Sequence, residues 1–319
     1  MAGVNLPYSP LRWTLYDGLE LFQGFDPAEP GSWALTTDFA IYRHYVAEGG
    51  TAPSNPFTSM MQALHDNSIS QALKSAVAGR KAAAIMGGHK MDRHSPSYRD
   101  VALLSRRLAR ADILVCTGGG PGAMEASHLG AALAQASDKD LEAALALLGE
   151  QPVIPSLKKV VREDGSIDQE LVLRAHAWFK PAYEIAAAFP SRGESLGIPT
   201  WHYGHEPATP LASHIAKYFQ NSIREDGLLA LAQQGIIFAE GKAGTIQEIF
   251  QDATQNYYRV FDYFSPMVLF GVKYWTETIP VTAVLKSLLS SDDFQQNILL
   301  TDDVEAAAQF IEGFTPAHL

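Results

Sequence analysis

Two short stretches of this sequence carry the residue types and spacings of anion chemistry. The first is Thr117-Gly118-Gly119-Gly120-Pro121-Gly122-Ala123-Met124-Glu125-Ala126, which follows an apolar run and opens a helical pattern. Glycines let the backbone approach an anion closely, and the free N–H groups of a helix start point at it. Pro121 suits a first helical turn, where its missing N–H costs little. No Gly-Lys-Ser/Thr follows, so this is not the Walker form. Gly-x-Gly-x-Gly without an acidic residue at the next strand end is not the dinucleotide fingerprint either. A ligand-free strand-to-helix turn would use the same glycines.

The second stretch is Glu240-Gly241-Lys242-Ala243-Gly244-Thr245-Ile246-Gln247-Glu248, again between an apolar run and a helical pattern. Gly241, Gly244 and the Thr245 hydroxyl can complete an anion site, and Lys242 adds a cation beside it. Glu248 lies one turn into the helix, where the positive end of the dipole keeps a carboxylate ionised. The same residues also spell a capping box, with Thr245 as N-cap and Glu248 three positions on. Ligands of α/β sheets bind beyond the carboxyl ends of the strands. Two such turns in one domain therefore point to a shared cleft.

A third stretch, Glu194 to Glu206, holds Ser195, Trp201, His202, Tyr203, His205 and Glu206. Its two histidines and glutamate match no common zinc spacing, and no cysteine assists them. It reads as a loop beside the cleft, with Trp201, His202 or Tyr203 able to stack on a base. Ser195 is not read as a nucleophile. His89 and His94, after the first apolar run, sit where a base or ribose could lie, or are satisfied within the fold.

The elements that position these residues follow from periodicity. Apolar runs at 82–86, 113–117, 197–201, 235–239, 267–271 and 298–301 alternate with helical patterns. Those patterns cover 97–111, 122–135, 208–232, 245–259, 278–290 and 303–313. Continuous apolar strands alternating with amphipathic helices indicate α/β architecture, a parallel sheet covered on both faces. This domain spans 79–319, with a helical elaboration at 138–190. Residues 1–78 form an N-terminal, mostly helical extension, with helices at 36–48 and 57–78, that packs on the core. Phe250, Tyr257, Tyr258, Phe261, Tyr263 and Phe264 read as core and subunit interface.

Composition narrows the setting. The 319 residues carry 24 Lys and Arg against 35 Asp and Glu, a formal charge of −11. That argues against general nucleic-acid binding, which needs clustered cations, but leaves a local basic pocket open. The single cysteine, Cys116, allows no intrachain disulfide and points to a reducing compartment. The first twenty residues lack a signal-peptide core, and no apolar run reaches roughly 18 residues. A cytoplasmic protein is expected, without a membrane partner.

Over roughly 81–315, the two glycine turns together resemble the paired signatures of the LOG ("Lonely Guy") family. The resemblance includes Gly87-Gly88-His89 and the helix near Ser97-Tyr98. It implies a Rossmann-like, doubly wound sheet and an enzyme that hydrolyses the N-glycosidic bond of nucleoside 5′-monophosphates. The substrates would be cytokinin riboside monophosphates or ordinary purine and pyrimidine nucleotides; the products would be a free base and ribose 5-phosphate. It further implies no metal or cofactor, and a homodimer or higher homo-oligomer. The family's second signature usually reads Pro-Gly-Gly-x-Gly-Thr-x-x-Glu; here Glu240 and Lys242 replace the proline and second glycine. By the resemblance, Glu248 is the catalytic carboxylate. Arg224 matches the family's arginine by placement, against a plain ion pair with Glu225 or Asp226. Gly88, His89, Gly118, Gly119, Gly120, Gly122, Met124, Glu125, Gly241, Lys242, Gly244 and Thr245 become the nucleotide-binding set. The alternative is a non-catalytic nucleotide or molybdenum-cofactor carrier of the same fold. Amino-acid decarboxylation, an older label for the family, would need pyridoxal phosphate on a lysine, and nothing near Lys242 resembles a pyridinium partner.

Overall fold

The computed structural model describes residues 6–162, 164–204 and 207–315, apart from the side chains of residues 225 and 226. Its strands are β1 (Ala82–Met86), β2 (Leu114–Thr117), β3 (Ser195–Gly197), β4 (His214–Ile215), β5 (Gly235–Phe238), β6 (Met267–Phe270) and β7 (Ile298–Thr301). They form one sheet in the order β4-β3-β2-β1-β5-β6-β7, with every pairing parallel. Winding runs outward in both directions from β1, so the topological switch point lies between β1 and β5. This is a Rossmann-like, doubly wound sheet, and the crevice at such a switch point is where ligands bind.

Period-two alternation explains why the strands read as unbroken apolar runs. In β1, Ala82, Ala84 and Met86 face one core cluster, while Ala83 and Ile85 face the other. Ile236 and Phe238 against Ile237 repeat this in β5, as do Met267 and Leu269 against Val268 and Phe270 in β6. Both faces are dry, so both need helices.

On one face lie α4 (Pro96–Arg110), α5 (Ala123–Ala132) and α12 (Val304–Glu312). On the other lie α8 (Asn221–Leu231), α9 (Ala243–Tyr257) and α10 (Val281–Leu288), joined by α3 (Pro56–Val77). Ile69 and Leu73 of α3 share that cluster with β1 and β5, so this helix of the extension forms part of the layer. The extension's α1 (Gly18–Leu21) and α2 (Thr37–Ala47) border a third cluster, where Phe22 and Phe39 meet Val172, Trp178 and Phe179. The last three belong to α7 (Gln169–Ala188), which with α6 (Asp138–Gly149) makes up most of the 138–190 elaboration. Two further ties bind the extension. Tyr16 bridges antiparallel to Ile215, and buried Asp38 accepts from Lys217 Nζ (2.7 Å) and Trp201 Nε1 (2.9 Å). No helix among the described residues is long and apolar enough to cross a membrane.

Some expected elements differ. The run 208–232 is not one helix: 208–219 is mostly buried chain containing β4, and α8 starts only at Asn221. A short apolar run buried on all sides lacks the alternation that separates strand from helix, and Pro210 cannot donate within a helix. The strand expected at 197–201 is β3, ending at Gly197 ahead of Pro199. The helix expected at 278–290 is α10, entered through a π-helical turn at Tyr274–Thr278. A further helix, α11 (Ser291–Asn297), precedes β7.

Candidate functional site

Three strand ends build the site, and backbone contacts lock them together. After β1, the Gly88 N–H donates to the Glu240 carbonyl (2.8 Å) beyond β5. The Gly88 carbonyl accepts from Ala123 N–H (3.2 Å), at the start of α5. Gly122 has φ +69°, and a side chain there would run into the Gly88 and His89 backbone. Only glycine supplies both the left-handed conformation and the close approach.

Between these turns lies a cleft of about 740 Å³. Gly88, His89, Lys90, Asp92, Gly118, Met124 and Tyr203 line it, with Arg224, Glu240, Gly241, Lys242, Gly244, Thr245, Glu248 and Tyr274. Helix α9 begins at its wall. The N-cap is Lys242, and no side chain caps the helix. The capping-box alternative, Thr245 as N-cap, is therefore not what forms. Helix α5 starts behind Gly122, also without a side-chain cap. The α5 start is tied back through Ala123 to Gly88, whereas the uncapped start of α9 leaves N–H donors and the positive dipole end at the cleft, a setting for an anion.

The charges in the cleft are mixed. Lys90 and Lys242 have no acidic partner among the described residues. Burial, aided by Lys90 and Lys158, lowers the His89 pKa and favours the neutral imidazole. The Tyr274 hydroxyl donates to the Gly241 carbonyl (2.6 Å); burial and then Glu240 raise the pKa of that phenol. No group of three or more His, Cys, Asp or Glu among the described residues is arranged to hold a metal ion.

Arg224 and Glu248 meet here from different helices. Arg224 Nη1 and Glu248 Oε1 are 3.9 Å apart, with side chains 11% and 19% exposed. Such a separation pairs the charges without a hydrogen bond between those atoms. Arg224 Nε–H also donates to the Ile198 carbonyl (3.2 Å), after β3. The ion-pair alternative for Arg224 through Glu225 or Asp226 concerns side chains outside the described residues.

Most of the expected nucleotide-binding set lines the cleft; four residues do not. Gly119, Gly120 and Gly122 shape the turn from behind. Gly119 N–H donates to Thr117 Oγ1 (2.8 Å), and Gly120 N–H reaches Met124 Sδ (3.4 Å). Glu125 is corrected outright. It is fully buried, and its carboxylate is occupied by Arg93 (2.6 and 2.7 Å) and the Tyr98 hydroxyl (2.9 Å). Arg93 also donates to the Gln151 and Trp178 carbonyls and lies 3.7 Å from the Trp178 ring centroid. Glu125 thus anchors the loop after β1 to the 138–190 elaboration instead of facing a ligand.

The third stretch also divides. Tyr203 lines the cleft, whereas Trp201 is buried and stacks on Phe219, with centroids 4.5 Å apart. His202 is exposed outside the cleft, His94 packs against Gly149, and His205 and Glu206 lie outside the described residues. The residues around Ser195 do spell Gly-x-Ser-x-Gly. Yet Ser195 sits inside β3, not at an elbow, fully buried with Oγ on His128 Nδ1 (2.8 Å). Lys90, Asp92 and Tyr274 are lining residues that the sequence reading missed. Proximity to Gly88 was a signal for the first two, while nothing local marks Tyr274.

No family model matches the chain, and no curated protein matches it. Among solved structures it is similar to the X-ray structure of TM1055, a Northeast Structural Genomics Consortium target. The two are 21% identical, with a TM-score of 0.42, over 73% of this chain and 99% of that one.

Proposed function

We propose that this protein hydrolyses the N-glycosidic bond of a nucleoside 5′-monophosphate, releasing the free base and ribose 5-phosphate. The observation that carries the reading is the Arg224–Glu248 pair, 3.9 Å apart, in a cleft walled by the uncapped start of α9. The paired glycine turns that resemble the LOG family support it.

In the proposed reaction, water adds to C1′ of the ribose as the C1′–N bond breaks, and the base leaves with a proton. The sugar passes through an oxocarbenium-like state. The Glu248 carboxylate stabilises that positive charge and orients the attacking water. Arg224 binds the departing base or the phosphate, as a guanidinium suits either. The phosphate seats on the α9 start beside Lys242 and Thr245, where backbone donors and the dipole favour an anion. Binding energy gathered at the phosphate positions the sugar without taking part in bond breaking. With a formal charge of −11 on the whole chain, capture of an anion rests on these local groups. On the same reading the enzyme works as a cytoplasmic homodimer without a metal or cofactor. Tyr257, Tyr258 and Val260, exposed at the end of α9 and just after it, offer an apolar face for a second copy.

The test incubates the protein with AMP, GMP, CMP, UMP and isopentenyladenosine monophosphate and measures free base. Glu248→Gln should reduce release about a thousandfold while AMP still binds. Release that survives the substitution would sink the mechanism. Binding without release from the unmodified protein would favour a carrier.

A further inference from the structure

The N-terminal extension reaches the site through one carboxylate. Asp66, on α3, is 1% exposed. Its Oδ1 accepts from the Phe219 N–H (3.0 Å) and its Oδ2 from the Gln220 N–H (2.9 Å). Gln220 is the N-cap of α8, and its own side chain makes no capping bond. The helix entry is thus held by an acid about 150 residues earlier in the chain.

Asp66 is in turn held from behind. Its Oδ1 also meets His65 Nδ1 (3.1 Å), and His65 Nε2 meets the Tyr16 hydroxyl (2.8 Å). With that carboxylate oxygen accepting, His65 donates through Nδ1. Burial lowers the His65 pKa and favours the neutral ring, so Nε2 accepts from Tyr16. Tyr16 exchanges backbone hydrogen bonds with Ile215 of β4 (3.0 and 2.7 Å). The links from Asp66 back through His65 to Tyr16 are buried.

Arg224 stands one turn beyond this anchor, on α8. Its Nε bonds Ile198, its Nη1 faces Glu248, and Asn221 of the same turn donates to Tyr203 of the cleft wall (3.3 Å). Ser222 and Ile223 are exposed, and the core contacts of α8 come later, at Leu228 and Leu229. The entry point therefore joins these side-chain contacts in fixing the place of the first turn. A shift there carries the guanidinium away from Glu248.

We infer that Asp66 is a positioning residue for Arg224, which makes the N-terminal extension a working part of the site. This rests on the proposed hydrolysis for its catalytic consequence, though not for the hold on α8.

Two arms test it in the full chain. The first needs no ligand: hydrogen exchange of the backbone amides at 225–228, whose helical acceptors are the carbonyls of the first turn of α8, compared in Asp66→Asn and Ile69→Val. Ile69 is buried in the same helix without polar contacts, so it reports simple loss of packing. Exchange of those amides should quicken about tenfold in Asp66→Asn and stay unchanged in Ile69→Val. The second arm is a double-mutant cycle on AMP hydrolysis. Asp66→Asn should cut kcat/KM about tenfold alone, and less than about twofold in an Arg224→Ala background. A structural role would give the same loss in both backgrounds. Unchanged exchange, or a loss undiminished by Arg224→Ala, overturns the inference. If AMP binds without turnover, the proposed function fails and the same cycle is read on AMP affinity by calorimetry. If AMP does not bind, the exchange arm decides.

Discussion

The guanidinium of Arg224 occupies the space that a side chain at position 118 would fill: a Cβ on Gly118 would stand 2.5 Å from Nη2. Met124 Sδ would lie only 2.9 Å from that Cβ. The first glycine of the turn thus makes room for the arginine of another helix. Gly118→Ala should leave the fold intact, because the displaced group is the flexible end of a long side chain. It should lower kcat/KM for nucleotide hydrolysis about a hundredfold, as expected for misplacement of roughly 1 Å. Thermal melting and steady-state kinetics on the same preparation check both halves.

The Arg93–Glu125 pair should show the asymmetry of buried charge. Both side chains are almost wholly buried, so neither can turn to water when its partner is removed. Arg93→Met alone should cost about 3 to 5 kcal/mol, and Arg93→Met with Glu125→Gln much less. Urea denaturation of the single and double variants measures this. A double variant no more stable than the single would contradict the assignment.

Acid should loosen the floor of the glycine turn. His128 is fully buried between Thr117 Oγ1 and Ser195 Oγ, at 2.8 Å from each, and burial takes its pKa down to about 3. The unfolded histidine takes up a proton near pH 6.5 and the folded one does not. Stability from this group is therefore full above pH 6.5 and falls with pH until about 3, by about 1.4 kcal/mol per unit. His128→Asn should be less stable at pH 7 yet flatter between pH 6 and 4. Denaturation midpoints across that range give the comparison.

Asp252 predicts the opposite slope. It lies one turn beyond Glu248 on α9, buried, and Oδ2 has no hydrogen-bond partner among the described residues. Burial raises its pKa well above the ordinary carboxylate value. The folded state holds the proton that the unfolded state loses above about pH 4, so stability falls as pH rises from there. Asp252→Asn keeps the shape and removes the titration. It should stabilise the protein by about 1 kcal/mol or more at pH 7, with the gain vanishing below pH 4. A stability difference that does not change with pH would show that the carboxylate is already ionised in the fold.

Local chemistry made much of this protein legible in its sequence. The strand–turn–helix units at 114–132 and 235–257 follow from apolar runs, glycines and helical periodicity, all of which act over a few residues. The α/β class follows from their alternation. Tertiary structure alone decided which way each side chain faces. Glu125 and Glu248 each follow a glycine turn, yet one is buried against Arg93 and the other lines the cleft. A helix one turn long in sequence covers every direction, and only packing selects the face toward the ligand. The segment 208–219 forms no helix despite its apolar content, because mostly buried chain carries no alternation that separates strand from helix. The reach of the extension was invisible for a further reason. Asp66 and Gln220 are separated by 154 positions, and hydrogen bonds at that distance leave no periodic trace in a single chain. Residue type and short spacing determined what chemistry the turns could support. The packing of α3, α8 and α9 on one face of the sheet decided that Arg224 and Glu248 would meet there.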